Sequence, residues 1–216
     1  AGAGWGPWLA MAGVVCRAKK TEQIRLIGLE ASAERFALMT RHLNFNHLDP
    51  QHGVAVDLFE GAVWSHDGVI HFPDSDLADM GAAASAASIS RDYRGHAVSS
   101  REVPCTRLSS LVGENSEVDF LHVDVQGAEG EVVASHLDWL NRNVKALMVA
   151  THSRPLEGEL MTLLSAQGWV LMREKPCQFD AGRIMEDWCG ATSADGSQYW
   201  INGKFTEKPS KKVQCD

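Results

Sequence analysis

No stretch of the 216 residues approaches the roughly 18 consecutive apolar residues that a membrane-crossing helix needs. The start lacks the basic residues and clean apolar core of a secretory leader, and it does not open on Met. No C-x-x-C pair occurs either. The five cysteines, Cys16, Cys105, Cys177, Cys189 and Cys215, are odd in number and scattered. That spacing argues against a zinc site and a disulfide framework, and it predicts reduced thiols in a cytoplasmic protein. An excess of positive charge is also missing. Lys and Arg total 20 against 28 Asp and Glu, for a formal net charge of -8. A general nucleic-acid binder needs a basic surface, so the balance disfavours that class while leaving room for a small basic pocket. What is present is globular: 44% hydrophobic and 22% charged residues. A chain of this length favours one domain and can bury a core without covalent staples.

Apolar periodicity predicts alternating helices and strands. Pro7 to Lys20 reads as a helix, with Pro7 at a position where its missing N–H costs nothing. Ile24 to Leu29 is a short strand ending at Glu30, and Ser32 can cap a second helix carrying Phe36, Met39 and Leu43. Val54 to Phe59 follows as a strand. Ala62 to Ser65 and Val69 to Phe72 flank Asp67-Gly68, a hairpin signal. Gly81 to Ser90 is of low complexity and reads as a loop. Val118 to Val125 and Ala146 to Ala150 read as buried strands, with one helix, Glu131 to Leu140, between them. A helix through Leu160, Leu163 and Leu164 stops at Gly168; Trp169 to Met172 and Tyr199 to Asn202 are the final strands. The pattern is that of an α/β protein with a largely parallel sheet. Residues 1–205 form one domain in this reading, and 206–216 a polar tail.

The first residues carry the chemistry. Gly2, Gly4 and Gly6 alternate ahead of the first helix. Glycine lets backbone approach a ligand closely, and a helix start offers free N–H groups. A dinucleotide fingerprint starting from Gly2 would place its third glycine on Pro7, which disfavours an NAD-linked oxidoreductase. Alternating G-x-G-x-G is instead the form used by S-adenosylmethionine (SAM) enzymes. Glu30, at the end of the next strand, is placed to accept from both ribose hydroxyls.

With Val123-Asp124-Val125-Gln126-Gly127-Ala128-Glu129 added, the chain resembles the FkbM family of SAM-dependent methyltransferases. That family's pattern after its fourth strand is close to K-x-D-x-E-G-x-E; here His122 replaces the lysine and Gln126 the first glutamate. Leu43-Asn44-Phe45-Asn46, Gly61-Ala62-Val63, Arg107-Leu108-Ser109-Ser110-Leu111 and Ala150-Thr151-His152 agree in order. The resemblance implies a Rossmann-like class I methyltransferase fold: a seven-stranded, mostly parallel sheet with an antiparallel last strand. It also implies a first strand, ending in an acid, ahead of Ala1, so that the domain is N-terminally incomplete.

The resemblance further implies methyl transfer to a hydroxyl oxygen of a small molecule, such as a sugar or polyketide. Ligands bind such sheets at the strand carboxyl ends. Asp124 and His152 occupy two of these ends and are the candidate catalytic residues: Asp124 to orient the acceptor hydroxyl, His152 as base or second orienting group. Gly2, Gly4, Gly6, Glu30, Gly61 and Ala62 are the candidate SAM contacts. Trp5 and Trp8 are candidate pocket walls, Glu129 a helix-start acid or substrate contact, and His122 an internal packing residue. Asp124 and His152 alone are too few to hold a metal ion, and none is expected. No nucleic-acid or membrane partner is expected. A non-catalytic ligand-binding domain that kept the fold is the alternative.

Overall fold

The computed structural model describes residues 1–74, 83–90, 97–180, 182 and 191–206. Gly81 and the tail beyond Thr206 lie outside them. The order of elements is α1 (Pro7–Ala18), β1 (Ile24–Glu30), α2 (Ala33–Phe45), a 3-10 turn (Pro50–His52), β2 (Val54–Glu60), β3 (Ala62–Val63), β4 (Gly68–Pro73) and β5 (Ser100–Thr106). Then come α3 (Leu108–Val112), β6 (Val118–Val123), α4 (Glu129–Ser135), α5 (Leu137–Asn143), β7 (Val144–Thr151), α6 (Arg154–Ala166), β8 (Trp169–Lys175), β9 (Gln178–Phe179), β10 (Thr192–Ala194) and β11 (Gly196–Asn202).

Local chemistry accounts for the element ends. The Ser32 hydroxyl accepts from the Arg35 N–H at the start of α2, and the Ser153 hydroxyl accepts from the Leu156 N–H at the start of α6. Pro7 sits in the first turn of α1, as expected, while Gly6 precedes it at φ 79°. Gly168, at φ 83°, follows α6.

The alternating pattern of β11 buries Gln198, Trp200 and Asn202. Trp200 packs with Leu147, Val149, Leu160 and Leu164 in the main core, all at 0% exposure. Each such side chain contributes about 1.5–3 kcal/mol through its removal from water. A second core under α1 and α2 joins Leu26, Met39, Leu43, Leu48 and Val54.

The strands do not form one seven-stranded sheet. β1 and β2 pair in parallel; β6, β7, β11 and β8 form a four-stranded sheet in that order; β3, β5 and β4 form another; and β9 pairs with β10. β6 and β7 are parallel, and β11 runs antiparallel to both of its neighbours.

Between β1 and β6 lies a cleft of about 780 Å³, lined among others by Leu26, Phe120 and Trp139. Residues 1–3 bridge its end: the Ala1 nitrogen donates to His122 O (2.6 Å), Asp124 N–H donates to Ala1 O (3.0 Å), and Ala3 N–H donates to Leu29 O (2.9 Å).

Three local expectations are corrected. The Asp67-Gly68 turn does not close a hairpin, because β3 and β4 pair with opposite edges of β5. Asp67 instead accepts hydrogen bonds from Thr106 Oγ1 (2.9 Å), Arg107 N–H (2.9 Å) and Ser110 Oγ (2.8 Å). These draw its carboxyl far below the usual carboxylate range, the Arg107 N–H most strongly.

The single helix expected over Glu131 to Leu140 is two. His136 breaks it, with Nδ1 2.7 Å from Val132 O and Nε2 accepting the Leu108 N–H. β5 was not anticipated, since Ser100 to Thr106 carries Arg101, Glu102 and Pro104 and shows no apolar run.

Candidate functional site

The carboxyl ends of β1 and β6, the β2–β3 junction and the first residues of the chain converge on one cavity. Its wall includes Gly2, Gly4, Glu30, Gly61, Ala62 and Asp124, all predicted from the sequence. Gly2 and Gly4 have φ of 66° and 56°, a backbone region in which glycine is favoured. A Cβ on Gly2 would overlap the Asp124 carbonyl oxygen, so the chain there lies against the end of β6. A Cβ on Gly61 would stand 2.5 Å from Pro104 O.

Glu30, 5% exposed, ends β1. Its Oε2 accepts the Gly4 N–H and its Oε1 the Ser32 N–H, both at 2.8 Å. Each carboxylate oxygen keeps a second lone pair for a ligand hydroxyl. The cavity volume is about 60 Å³, and Ala84 forms part of its wall. The neighbouring Ser85 bridges to β4 through reciprocal hydrogen bonds with His71.

Gly6 and His152 do not line this cavity. Gly6 packs against Met39, where a Cβ would meet Met39 Cγ at 2.8 Å. Trp5 and Trp8 do not line this cavity: Trp5 lies against His42, and Trp8 lies against His122 and lines the β1–β6 cleft, each pair with ring centroids 5.0 Å apart. Burial pushes the His122 imidazole down to about 3. Arg35, Trp64 and Phe72 line the cavity without having been picked out. Arg35 lies one turn into the helix after Glu30, and that spacing was the signal available.

Asp124, at the end of β6, has a side chain 33% exposed and faces the cavity. Gln126 Nε2 donates to its Oδ1 at 2.9 Å. Gln126 has φ 59°, so the turn after β6 is sharp. Behind Asp124 stands His152, 1% exposed, its Nε2 3.6 Å from Asp124 Oδ1 and 4.0 Å from Asp195 Oδ2. On the other side of the ring, Nδ1 is 3.0 Å from Oε1 of Glu129, which is fully buried. Glu129 also accepts the Val125 N–H (2.8 Å) and the Gly127 N–H (2.9 Å). It is therefore neither an exposed helix-start acid nor part of the cavity wall.

Burial raises the Asp124 carboxyl above its ordinary value, although His152 opposes the shift. The His152 imidazole is also raised. Its burial alone would lower it, but Glu129, Asp124 and Asp195 outweigh that. One ligand atom from each of Asp124, Glu129 and His152 falls within 4.8 Å of the others, close enough to surround an ion. Glu129 there already accepts hydrogen bonds from two backbone N–H groups.

A glycine-cradled cavity with a strand-end acid is a feature of nucleoside-binding α/β proteins, and the comparisons give the class as methyltransferase. Residues 12–171 match the Methyltransferase FkbM domain model. The chain belongs to the FkbM methyltransferase domain family. A protein of Jannaschia sp. (strain CCS1), whose given name places it among methyltransferases, is 32% identical over 199 residues, 84% of this chain and 66% of that protein. The fold resembles the crystal structure of methyltransferase FkbM from Methylobacillus flagellatus KT (TM-score 0.53, 12% identity), covering 93% of this chain and 42% of that one. A Pyrococcus horikoshii structure titled as an RNA methyltransferase is more distant: TM-score 0.43, 9% identity, 93% of this chain and 71% of that one. The chain thus spans just under two thirds of the length of the curated relative it matches.

Proposed function

We propose that this chain is the core of a SAM-dependent methyltransferase that acts on a hydroxyl group of a small molecule. One observation carries the reading: a single cavity collects Gly2, Gly4, Glu30, Gly61, Ala62 and Asp124 at the strand carboxyl ends. The residues fit the cofactor. Backbone at Gly2 and Gly4 would hold its amino-acid part, Glu30 its ribose, and Gly61 and Ala62 its adenine. When bound, SAM supplies an electrophilic methyl group.

Asp124 then has a defined task at the acceptor. Its carboxylate accepts a hydrogen bond from the acceptor hydroxyl and takes the proton: the acceptor O–H bond breaks, its electron pair stays on the acceptor oxygen, and the proton resides on Asp124 until water removes it. Partial burial makes Asp124 a stronger base than an exposed aspartate. His152 sits behind Asp124 and acts through it. At about 60 Å³ the cavity is smaller than the roughly 300 Å³ or more of ordinary ligand sites. Cofactor entry therefore requires the wall around Ala84 to withdraw.

A small-molecule acceptor suits a cavity whose basic wall residue is Arg35 alone among the described lining, and a net charge of -8. The free thiols of Cys16, Cys105 and Cys177 suit the cytoplasm; no helix among the described residues is long and apolar enough to cross a membrane. The β1–β6 cleft fits one further strand parallel to both, from a longer polypeptide such as the relative has. That strand would give the order β2-β1-added strand-β6-β7-β11-β8, seven strands with β11 antiparallel. Slower amide exchange along β1 and β6 in a longer polypeptide tests this; unchanged exchange overturns it.

The functional test is calorimetric titration with SAM and with NAD, followed by a screen of hydroxylated small molecules for release of S-adenosylhomocysteine. SAM affinity with methyl transfer supports the reading. Preference for NAD, or no SAM affinity in the longer polypeptide, overturns it. The small cavity and the Gln126 amide, in place of an acid, favour the second reading, a non-catalytic binding domain; SAM binding without transfer to any acceptor selects it.

A further inference from the structure

Glu129 opens α4, yet it is completely buried. An acid at a helix start gains from the dipole while remaining in water, so the dipole does not explain its burial. Burying a carboxylate costs several kcal/mol unless its oxygens are answered. Here they are: Oε1 by the Val125 N–H, Oε2 by the Gly127 N–H, and Oε1 again by His152 Nδ1 at 3.0 Å. One side chain thus ties the sharp turn after β6 to the end of β7. His152 is 1% exposed, and the ionisable groups facing it among the described residues come from three elements: Glu129 on α4, Asp124 after β6, and Asp195 between β10 and β11. All three are acids.

We infer that Glu129 is a positioning residue that fixes the His152 ring with its Nδ1 proton toward Glu129 Oε1 and holds it as an imidazolium, so that Nε2–H stands behind Asp124 and keeps that carboxylate ionised and aimed into the cavity. The role of Asp124 here rests on the proposed methyl transfer; the arrangement of the ring does not. No proton passes through Glu129. The acceptor's proton goes to Asp124, and the buried, net-neutral pair behind it presents the positive edge of the imidazolium to that carboxylate. The 3.6 Å separation between Nε2 and Asp124 is longer than a hydrogen bond, as is common before a substrate tightens a site. The fold also makes the pair interdependent: without Glu129 the histidine loses its closest anion, and without His152 the turn holding Asp124 loses its attachment to β7.

The test is side-chain nitrogen NMR of the histidines, with His152→Asn used for assignment. The unmodified protein at pH 6.5 is expected to show His152 protonated on both nitrogens. In Glu129→Gln the His152 midpoint is expected to fall by about one to three pH units. Turnover should fall about tenfold or more while the KM for SAM stays within about twofold. A neutral His152 at pH 6.5, or a proton on Nε2 alone, overturns the inference from the unmodified protein, even if Glu129→Gln fails to fold. An unmoved midpoint in a folded variant overturns it as well. A lowered midpoint with undiminished turnover overturns the link to Asp124. A lowered midpoint in a protein that binds SAM but transfers no methyl group supports the ring arrangement and removes the methyl-transfer reading instead.

Discussion

Gly2 lies so close to Asp124 that any side chain on it would occupy the position of the Asp124 carbonyl oxygen. The glycine is therefore needed for contact within the chain as well as for approach to a ligand, and its φ of 66° adds a second requirement. Gly2→Ala is expected to lower stability by about 1–3 kcal/mol through backbone strain. It should weaken SAM binding more than Gly6→Ala, because Gly6 packs on the flexible Met39 side chain away from the cavity. Denaturant midpoints and calorimetric affinities of the two variants check both statements; equal loss of SAM affinity in the two would contradict the assignment.

Glu30 answers the Gly4 and Ser32 N–H groups with its two oxygens. Glu30→Gln keeps one acceptor and turns an NH2 group toward the other N–H. It should weaken SAM binding by about 5- to 100-fold, the range for one or two lost charged hydrogen bonds. If Glu30 holds the ribose, Glu30→Gln should lose affinity for adenosine as well as for SAM. A variant that loses SAM but keeps adenosine affinity would move the ribose elsewhere.

The shared cavity of Gly2, Gly4, Glu30, Gly61 and Ala62 was legible in the sequence because it depends on backbone and strand ends. Glycines at alternating positions, and an acid where an apolar run stops, leave a linear signature. Asp124 was legible for the same reason. Glu129 was visible as an acid at a helix start or a substrate contact but not as the partner of His152, because that contact joins residues 23 apart on different elements. Gly6 and the two tryptophans lie outside the cavity lining, and sequence order does not say which way residues at the start of α1 turn. β5 was missed since its inward residues, Val103 and Cys105, are separated by Pro104 and flanked by charge. The helix break at His136 is tertiary in origin: its ring bonds to α3, a partner that periodicity cannot reveal.

Asp124→Asn preserves size and can still accept a hydrogen bond, but it cannot take a proton. It is expected to reduce turnover by about 10²–10⁴-fold with SAM affinity nearly unchanged. Gln126→Ala removes the amide that donates to Asp124 Oδ1 and should reduce turnover less, by aim alone. Single-turnover rates at saturating SAM separate the two effects from binding. Full activity in Asp124→Asn would exclude it as the base.

The pH dependence of stability follows from the sign of the His152 shift. The folded protein holds this imidazole above its ordinary value of 6.5, because the surrounding acids, Glu129 foremost, outweigh the penalty of burial. A group with a raised folded-state pKa binds its proton more tightly in the folded chain than in the unfolded one. Its stabilising contribution is therefore fully present below about pH 6.5 and is lost as the pH rises through the folded-state value. Asp124 acts in the same direction, since its carboxyl is raised too, but its window lies nearer its ordinary value of 3.8. Urea unfolding measured from pH 6 to pH 9 should show the unmodified protein losing stability relative to His152→Asn as the pH rises, with a slope that Glu129→Gln flattens. A difference between the unmodified protein and His152→Asn that stays constant over that range would mean that the folded and unfolded rings titrate alike, and one that grows in favour of the unmodified protein would mean that the folded ring is neutral; on either outcome the imidazolium between Glu129 and Asp124 would have to be abandoned.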